Sequence, residues 1–376
     1  MSFFTNTNKL KKRFFQAENP NQDENELLLG KKKQISVHGS PISLILRNII
    51  IRFCDLPPGF TTFPYEIRLG FSFDFQRFKE LWKEIEKTIK RHNWKQIRIL
   101  SLAFDGKYRG ALQDFERMAS LFSKSFSDLT TLSLREVKEG NDAKFGLCLI
   151  SEIGKNFLNL RDLQIHFDYE SNLNECLQLL AMETLGRLVR LRHFSVDFGA
   201  SRTLISDEIN LLCEGINRKS PKLISLALDF GSCRNFNDEC LKILGSKLCR
   251  GLSELNSLVL TVGMNEISNQ GVMSLSNFLS FDLQKLHKLN IDFFDCKYVT
   301  LEGFVSFGEK IAENLQNLQE LSFCFGVQPL AEDNEDFKLI MEKERVYRNE
   351  IEEKLNKIFH FIPPNSLDLD SEVVWG

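Results

Sequence analysis

Three features of this 376-residue chain point to an α/β solenoid of stacked strand–helix units. An apolar template recurs nine times, with successive copies 31 or 32 residues apart. Its last three positions alternate apolar and polar, which is the period of a strand. The stretches between copies carry an apolar stripe at helical spacing. A strand joined to the next by a helical crossover must run parallel to it.

The elements follow in chain order. Residues 1–35 are polar, with Lys11-Lys12-Arg13 and Lys31-Lys32-Lys33 around an acidic middle, and are read as a disordered arm. Residues 36–64 are read as an N-terminal cap or a degenerate repeat. The array spans 65–330. Numbering the template so that apolar residues stand at positions 1, 4, 6 and 8, the first copy is Glu66, Leu69, Phe71 and Phe73, with a charge at position 1. Ile97, Leu100, Leu102 and Phe104 match fully. In the third copy Leu129, Leu132 and Leu134 match, and Glu136 spoils position 8. Position 1 then falls at Leu160, Leu191, Leu223, Leu255, Leu286 and Leu318.

Asn237, Ser268 and Thr300 are expected helix N-caps, each preceded by an apolar residue. After them, Leu241, Leu244 and Leu248, then Val272, Leu275 and Leu279, then Phe304, Phe307 and Ile311 mark the buried helix stripes. Residues 331–376 are read as a C-terminal cap and tail. Within them 336–361 forms a charged amphipathic helix, and "SLDLD" at 366–370 adds a last edge strand. A stacked array needs such caps to cover its terminal cores.

The pattern L-x-x-L-x-L, as in "LISLAL" at 223–228 and "LNSLVL" at 255–260, resembles the leucine-rich repeat family. The long-repeat, ribonuclease-inhibitor-like type is the nearest form, with Gly271 and Gly303 matching its glycine near the start of the helix. The resemblance covers roughly 64–328. It implies a horseshoe-shaped solenoid with a concave parallel sheet and convex helices. Two departures stand out. The repeats exceed the family's common 28–29 residues, and its asparagine at position 9 is missing. Gly199, Gly231, Gly263 and Gly326 stand there in four repeats, so glycine-permitted turns are expected in place of an asparagine ladder.

The tripeptide Asp-Phe-Gly occurs twice, at 197–199 and 229–231. In a protein kinase it would hold magnesium, but that chemistry also needs a Gly-rich phosphate loop, a strand lysine and an HRD-type loop. None is in the sequence. Both copies fall at positions 7 to 9 of adjacent repeats, so Phe is read as core, Gly as turn and Asp as outward-facing. No Walker loop, HExxH or dinucleotide glycine pattern occurs, and His166 and His193 have no nucleophile set beside them by a recognisable motif. The chain is read as non-catalytic, with no cofactor and no metal.

Nine Cys are scattered without a CxxC, which points to reduced thiols in the cytoplasm, with the nucleus as the alternative. The most apolar stretch, 41–53, is interrupted by Arg47 and Arg52 and cannot span a bilayer as a clean apolar helix. With a net charge of −3, no global field recruits nucleic acid. The basic clusters of the arm leave three readings open: a solvated arm, a nuclear import signal, or a contact with an acidic surface.

Function is therefore expected on the sheet face turned away from the helices, as a scaffold or adaptor binding a protein partner. Position 7 forms a column that changes sign, from Arg135 and His166 to Asp197, Asp229 and Asp292. Position 5 is mostly small, which leaves the face open. A basic helix or tail of a partner is the expected occupant. Regulation of an enzyme is the alternative, as an inhibitor or as a small-GTPase activator that supplies Arg135.

Overall fold

The computed structural model describes residues 49–52, 64–70, 98–105, 112–137, 144–167, 173–219 and 222–325, with 349, 353, 356 and 367–368 beyond them. Among these residues eleven strands form one open sheet in sequence order. They are β1 Ile49–Arg52, β2 Pro64–Gly70, β3 Ile99–Asp105, β4 Thr131–Val137, β5 Asp162–Phe167, β6 His193–Asp197, β7 Ser225–Asp229, β8 Ser257–Thr261, β9 Lys288–Asp292, β10 Glu320–Cys324 and β11 Leu367–Asp368. All pair in parallel except β1, which runs antiparallel to β2. β11 lies in the 366–370 stretch and pairs with β10. The arm 1–35 and nearly all of the expected helix 336–361 lie outside the described residues.

The helices between strands are α1 Leu112–Ser125, α2 Lys144–Asn156, α3 Leu173–Gln178, α4 Ser206–Lys219, α5 Asp238–Ile243, α6 Asn269–Asp282 and α7 Leu301–Asn314. α3 and α5 continue as π-helical turns, Leu179–Thr184 and Leu244–Cys249. The helix stripes expected from the sequence are buried, and they pack on strand positions 4, 6 and 8 in one continuous core. In the repeat that starts at Leu223, the residues Leu223, Leu226, Leu228 and Phe230 are each at most 1% exposed.

Asn237, Ser268 and Thr300 are the N-caps of α5, α6 and α7. The Asn237 carboxamide accepts from the N–H groups of Glu239 and Cys240, and the Ser268 hydroxyl from that of Gln270. Neighbouring caps are also tied together. Asp238 Oδ1 accepts the Ser268 N–H at 2.8 Å, and Asn269 Oδ1 accepts the Thr300 N–H at 2.8 Å. These side chains fill the space in front of Gly271 and Gly303. A Cβ there would lie 2.3 Å from Asp238 Oδ1 or 2.2 Å from Asn269 Oδ1. The helix-start glycines are thus sites of close approach between repeats.

Two details of the expected register change. The first copy sits four residues earlier than expected, because Tyr65, Ile67 and Leu69 lie opposite Leu100, Leu102 and Phe104. Apolar residues occupy every second place from Tyr65 to Phe73, so alternation alone is satisfied by several even shifts. Glu136 is not at position 8. Leu134 pairs with Ile165 and Val137 with Phe167, so Arg135 and Glu136 together face His166. That β-bulge inserts one residue and returns an apolar residue, Val137, to the template register.

The abundance of Phe has a structural role. Phe167, Phe198 and Phe230, all at position 8, stack in series with ring centroids 5.4 and 5.5 Å apart. Phe236 extends the stack at 4.9 Å. Leu228→Ala is expected to lower unfolding stability by about 2–5 kcal/mol, and Phe198→Ala, which breaks the stack in its middle, by about 3–5 kcal/mol. Chemical denaturation measures both, and a loss below about 1 kcal/mol at Leu228 would contradict the register.

Candidate partner-binding face

The face turned away from the helices carries positions 3, 5 and 7 of each strand. The pairing sets these residues in rows. Position 3 runs Asp162, His193, Ser225, Ser257, Lys288 and Glu320, and position 5 runs Gln164, Ser195, Ala227, Val259, Asn290 and Ser322. Position 7 runs His166, Asp197, Asp229, Thr261, Asp292 and Cys324. The structure therefore brings His166, Asp197 and Asp229 onto adjacent strands, with Asp292 two strands further on. Arg135 lies in β4 at the bulge opposite His166, and its side chain is outside the described residues.

The aspartates do not stand out as solvated charges. Asp197 is 1% and Asp292 7% exposed, and Asp229 is half-buried. Each turns its carboxylate along the chain. Asp197 Oδ1 accepts the Gly199 N–H at 2.7 Å, Asp229 Oδ1 the Gly231 N–H at 2.8 Å, and Asp292 Oδ1 the Phe294 N–H at 2.7 Å. Asp side chains bond the backbone two residues on in this way to close turns. Asp197 Oδ2 also lies 3.3 Å from His166 Nε2. The position 3 row is paired in a similar way. Thr131 Oγ1 donates to Asp162 Oδ2 at 2.9 Å, His193 Nε2 lies 3.8 Å from Asp162 Oδ1, and Lys288 Nζ lies 3.0 Å from Glu320 Oε2.

The expected role of glycine at position 9 is corrected as well. The left-handed backbone sits one place later, at Ala200, Ser232, Met264 and Asp295, with φ of 63°, 59°, 60° and 55°. Gly231 and Gly263 are not left-handed. A Cβ on Gly263 would instead meet the Phe294 carbonyl oxygen at 2.8 Å, and one on Gly231 the Asp229 carboxylate at 3.2 Å. Position 9 is glycine there because the capping carboxylate or the next repeat's backbone passes close by.

A hydrogen-bond ladder does exist, at position 11. Cys233 Sγ donates to the Phe198 carbonyl at 3.2 Å, and Cys296 Sγ to that of Val262 at 3.4 Å. Asn265 Nδ2 donates to the carbonyls of Phe230 at 2.8 Å and Val262 at 2.9 Å. Ser201, at the same position, accepts from the N–H groups of Thr203 and Leu204. The cysteines are thus not all scattered. Cys233 and Cys296 share a place with Asn265, in phase with the period, and that phase was the available sequence signal.

Burial drives the thiols away from reactivity. It raises Cys148 to about 11, and Cys213 and Cys296 to about 12, from 9.0. It raises Cys240 and Cys249 as well. Among the described residues no cluster of three or more His, Cys, Asp or Glu is arranged to hold a metal ion, and no helix is long and apolar enough to cross a membrane.

Neither a protein-family model nor a curated protein matches this sequence. Among solved structures, the chain is similar to one titled leiomodin-1 actin-binding site 2. Identity is 13% and the TM-score 0.31, over 51% of this chain and 94% of that one. It is also similar to the crystal structure of the Rad7 and Elc1 complex in yeast. There identity is 16% and the TM-score 0.38, over 66% of this chain and 62% of that one.

Asp229→Ala should cost about 1–2 kcal/mol through the lost turn bond, and Asn265→Ala about 1–3 kcal/mol, most of it regained in Asn265→Cys. Denaturation midpoints check all three. The raised thiols stay protonated in the folded state while the unfolded chain ionises near 9, so stability should fall as pH rises above about 9. Native labelling by a disulfide reagent at pH 8 should leave Cys213, Cys249 and Cys296 unmodified until the protein is denatured.

Proposed function

We propose that this chain is a non-catalytic scaffold or adaptor of the leucine-rich-repeat type, curved into a horseshoe, and that it binds a protein partner on the concave outer face of its sheet. One observation carries the reading. The middle row of that face is built from short or uncharged side chains, Ser195, Ala227, Val259, Asn290 and Ser322, so a partner's backbone can approach the sheet closely. On one flank, at position 3, lie exposed His193 and Glu320 with half-buried Asp162 and Lys288. Rows of this mixed sign give orientation and specificity more than affinity.

The position 7 residues contribute differently from a free acidic stripe. Asp197 and Asp292 are buried in their turns, which leaves Asp229 and His166 as the parts of the row a basic partner segment can reach. The reading also sets the protein in a reducing compartment such as the cytoplasm. Its support is chemical: Cys233 and Cys296 donate as thiols to carbonyl groups, a role that oxidation to a disulfide would remove.

The test places bulk on the floor of the face. Partners captured by the full-length protein should be lost by at least tenfold in Ala227→Arg/Ser257→Arg, with the circular dichroism spectrum retained. Unchanged capture by the folded variant would move the binding site off this face.

A further inference from the structure

We propose that the rim where the strands begin, between residues 156 and 224, docks on an anionic lipid surface. This rim is separate from the outer sheet face. It consists of the tips that join each helix end to its strand. Arg161, Arg187, Arg190 and Lys222 are exposed on it, and Arg192 is half-buried. Among the described residues these five form no ion pair. The reason lies in the sequence: the segments 156–161, 185–193 and 217–224 contain no Asp or Glu. On either side of this stretch the rim is neutralised, by Arg98 with Asp128 at 3.3 Å and by Lys285 with Glu254 at 2.7 Å. A chain of net charge −3 thus concentrates uncompensated positive charge on three successive tips.

The same tips expose large apolar side chains. Leu158 is 48%, Val189 60% and Ile224 42% exposed. Leu158 and Val189 stand at one position of successive repeats, and Ile224 shares the position of Arg161 and Arg192. The rim is also stiff. The Arg192 N–H donates to the Arg161 carbonyl at 2.7 Å, and the Ile224 N–H to the Arg192 carbonyl at 2.8 Å. Arg190 Nη1 donates to Asn159 Oδ1 at 2.8 Å, and Arg192 Nη1 to the Lys222 carbonyl at 3.3 Å. These bonds brace the guanidinium groups without neutralising them.

Cationic groups beside protruding aliphatic ones match the headgroup and acyl boundary of an anionic bilayer. The aliphatic tips argue against nucleic acid, whose phosphate backbone offers them nothing apolar to enter. Val189, 60% exposed between Arg187 and Arg190 in the chain, offers an aliphatic group that an acyl layer can take up beside the cations.

The test uses the full chain, with vesicles of phosphatidylcholine and phosphatidylserine in equal parts and vesicles of phosphatidylcholine alone. Flotation should recover the protein with the anionic vesicles only. Arg161→Gln/Arg187→Gln touches no hydrogen bond described above and should weaken the partition by about 30-fold, at about fivefold per lost charge. Val189→Ser should weaken it further, and circular dichroism confirms that both variants fold. Three outcomes would overturn the proposal. One is no preference for phosphatidylserine. Another is anionic binding that these variants leave unchanged, which would assign it to the basic arm. The third is Arg-dependent capture of a poly-glutamate peptide without vesicle binding, which would reassign the rim to an acidic protein segment.

Discussion

The turn that follows each strand is the constraint on which the rest of the structure depends. A parallel array must reverse its chain after every strand, and the reversal is buried against both neighbours, where unpaired backbone groups are costly. The turns after Asp229 and Asp292 meet this need in three linked ways, and those after Asp197 and Thr261 in two of the three. A position 7 carboxylate takes the N–H two residues on, a left-handed residue at position 10 redirects the chain, and a position 11 side chain donates across to the preceding repeat. Backbone bonds then join turn to turn, as from the Ala200 N–H to the Gly231 carbonyl and from the Ser232 N–H to the Gly263 carbonyl. A non-glycine residue in the left-handed region costs about 1–2 kcal/mol. Four in a row persist because the bonds on either side leave the backbone no alternative path.

The fold was legible because its signal is redundant. Positions 1, 4, 6 and 8 recur in phase, so one local disturbance, such as the bulge between Leu134 and Val137, does not hide a repeat. The register failed only where that redundancy ended. At Tyr65–Phe73 alternation runs on beyond the strand, and at Arg135 a bulge adds a residue that no residue type announces. The turn was harder to read, because the resemblance to leucine-rich repeats pointed to position 9. The donor to the preceding repeat stands instead at position 11, as Cys233, Asn265 and Cys296. These residues look unrelated until they are seen as groups able to hydrogen-bond to a neighbouring turn.

The candidate site was legible in its placement and not in its chemistry. Strand alternation put His166, Asp197, Asp229 and Asp292 in one outward row, and the pairing keeps them there. Alternation states which face a Cβ leaves from, and says nothing of where a short carboxylate then bends. At the C-terminal end of a strand the nearest unpaired donors are the N–H groups of the following turn. An Asp there folds back on them more readily than it reaches across the sheet. The charges this face leaves to a partner are therefore Asp229, His166 and those of position 3 at the start of the strands.

This geometry also explains why the chain twice spells Asp-Phe-Gly. The aspartate is needed for its reach to the amide two residues on. Phe fills position 8, where Phe167, Phe198 and Phe230 stack between sheet and helices. At Gly231 a side chain would crowd the Asp229 carboxylate that caps the turn. Each residue meets a separate steric or hydrogen-bonding demand of one buried turn, and none of the three demands involves a ligand. Other repeats change one or two of the three: Phe294 replaces the glycine after Asp292 and Phe293, Cys324 replaces the aspartate before Phe325 and Gly326, and Thr261-Val262-Gly263 changes both the aspartate and the Phe. The three letters vary separately along the array, as a set of distinct packing constraints would have it.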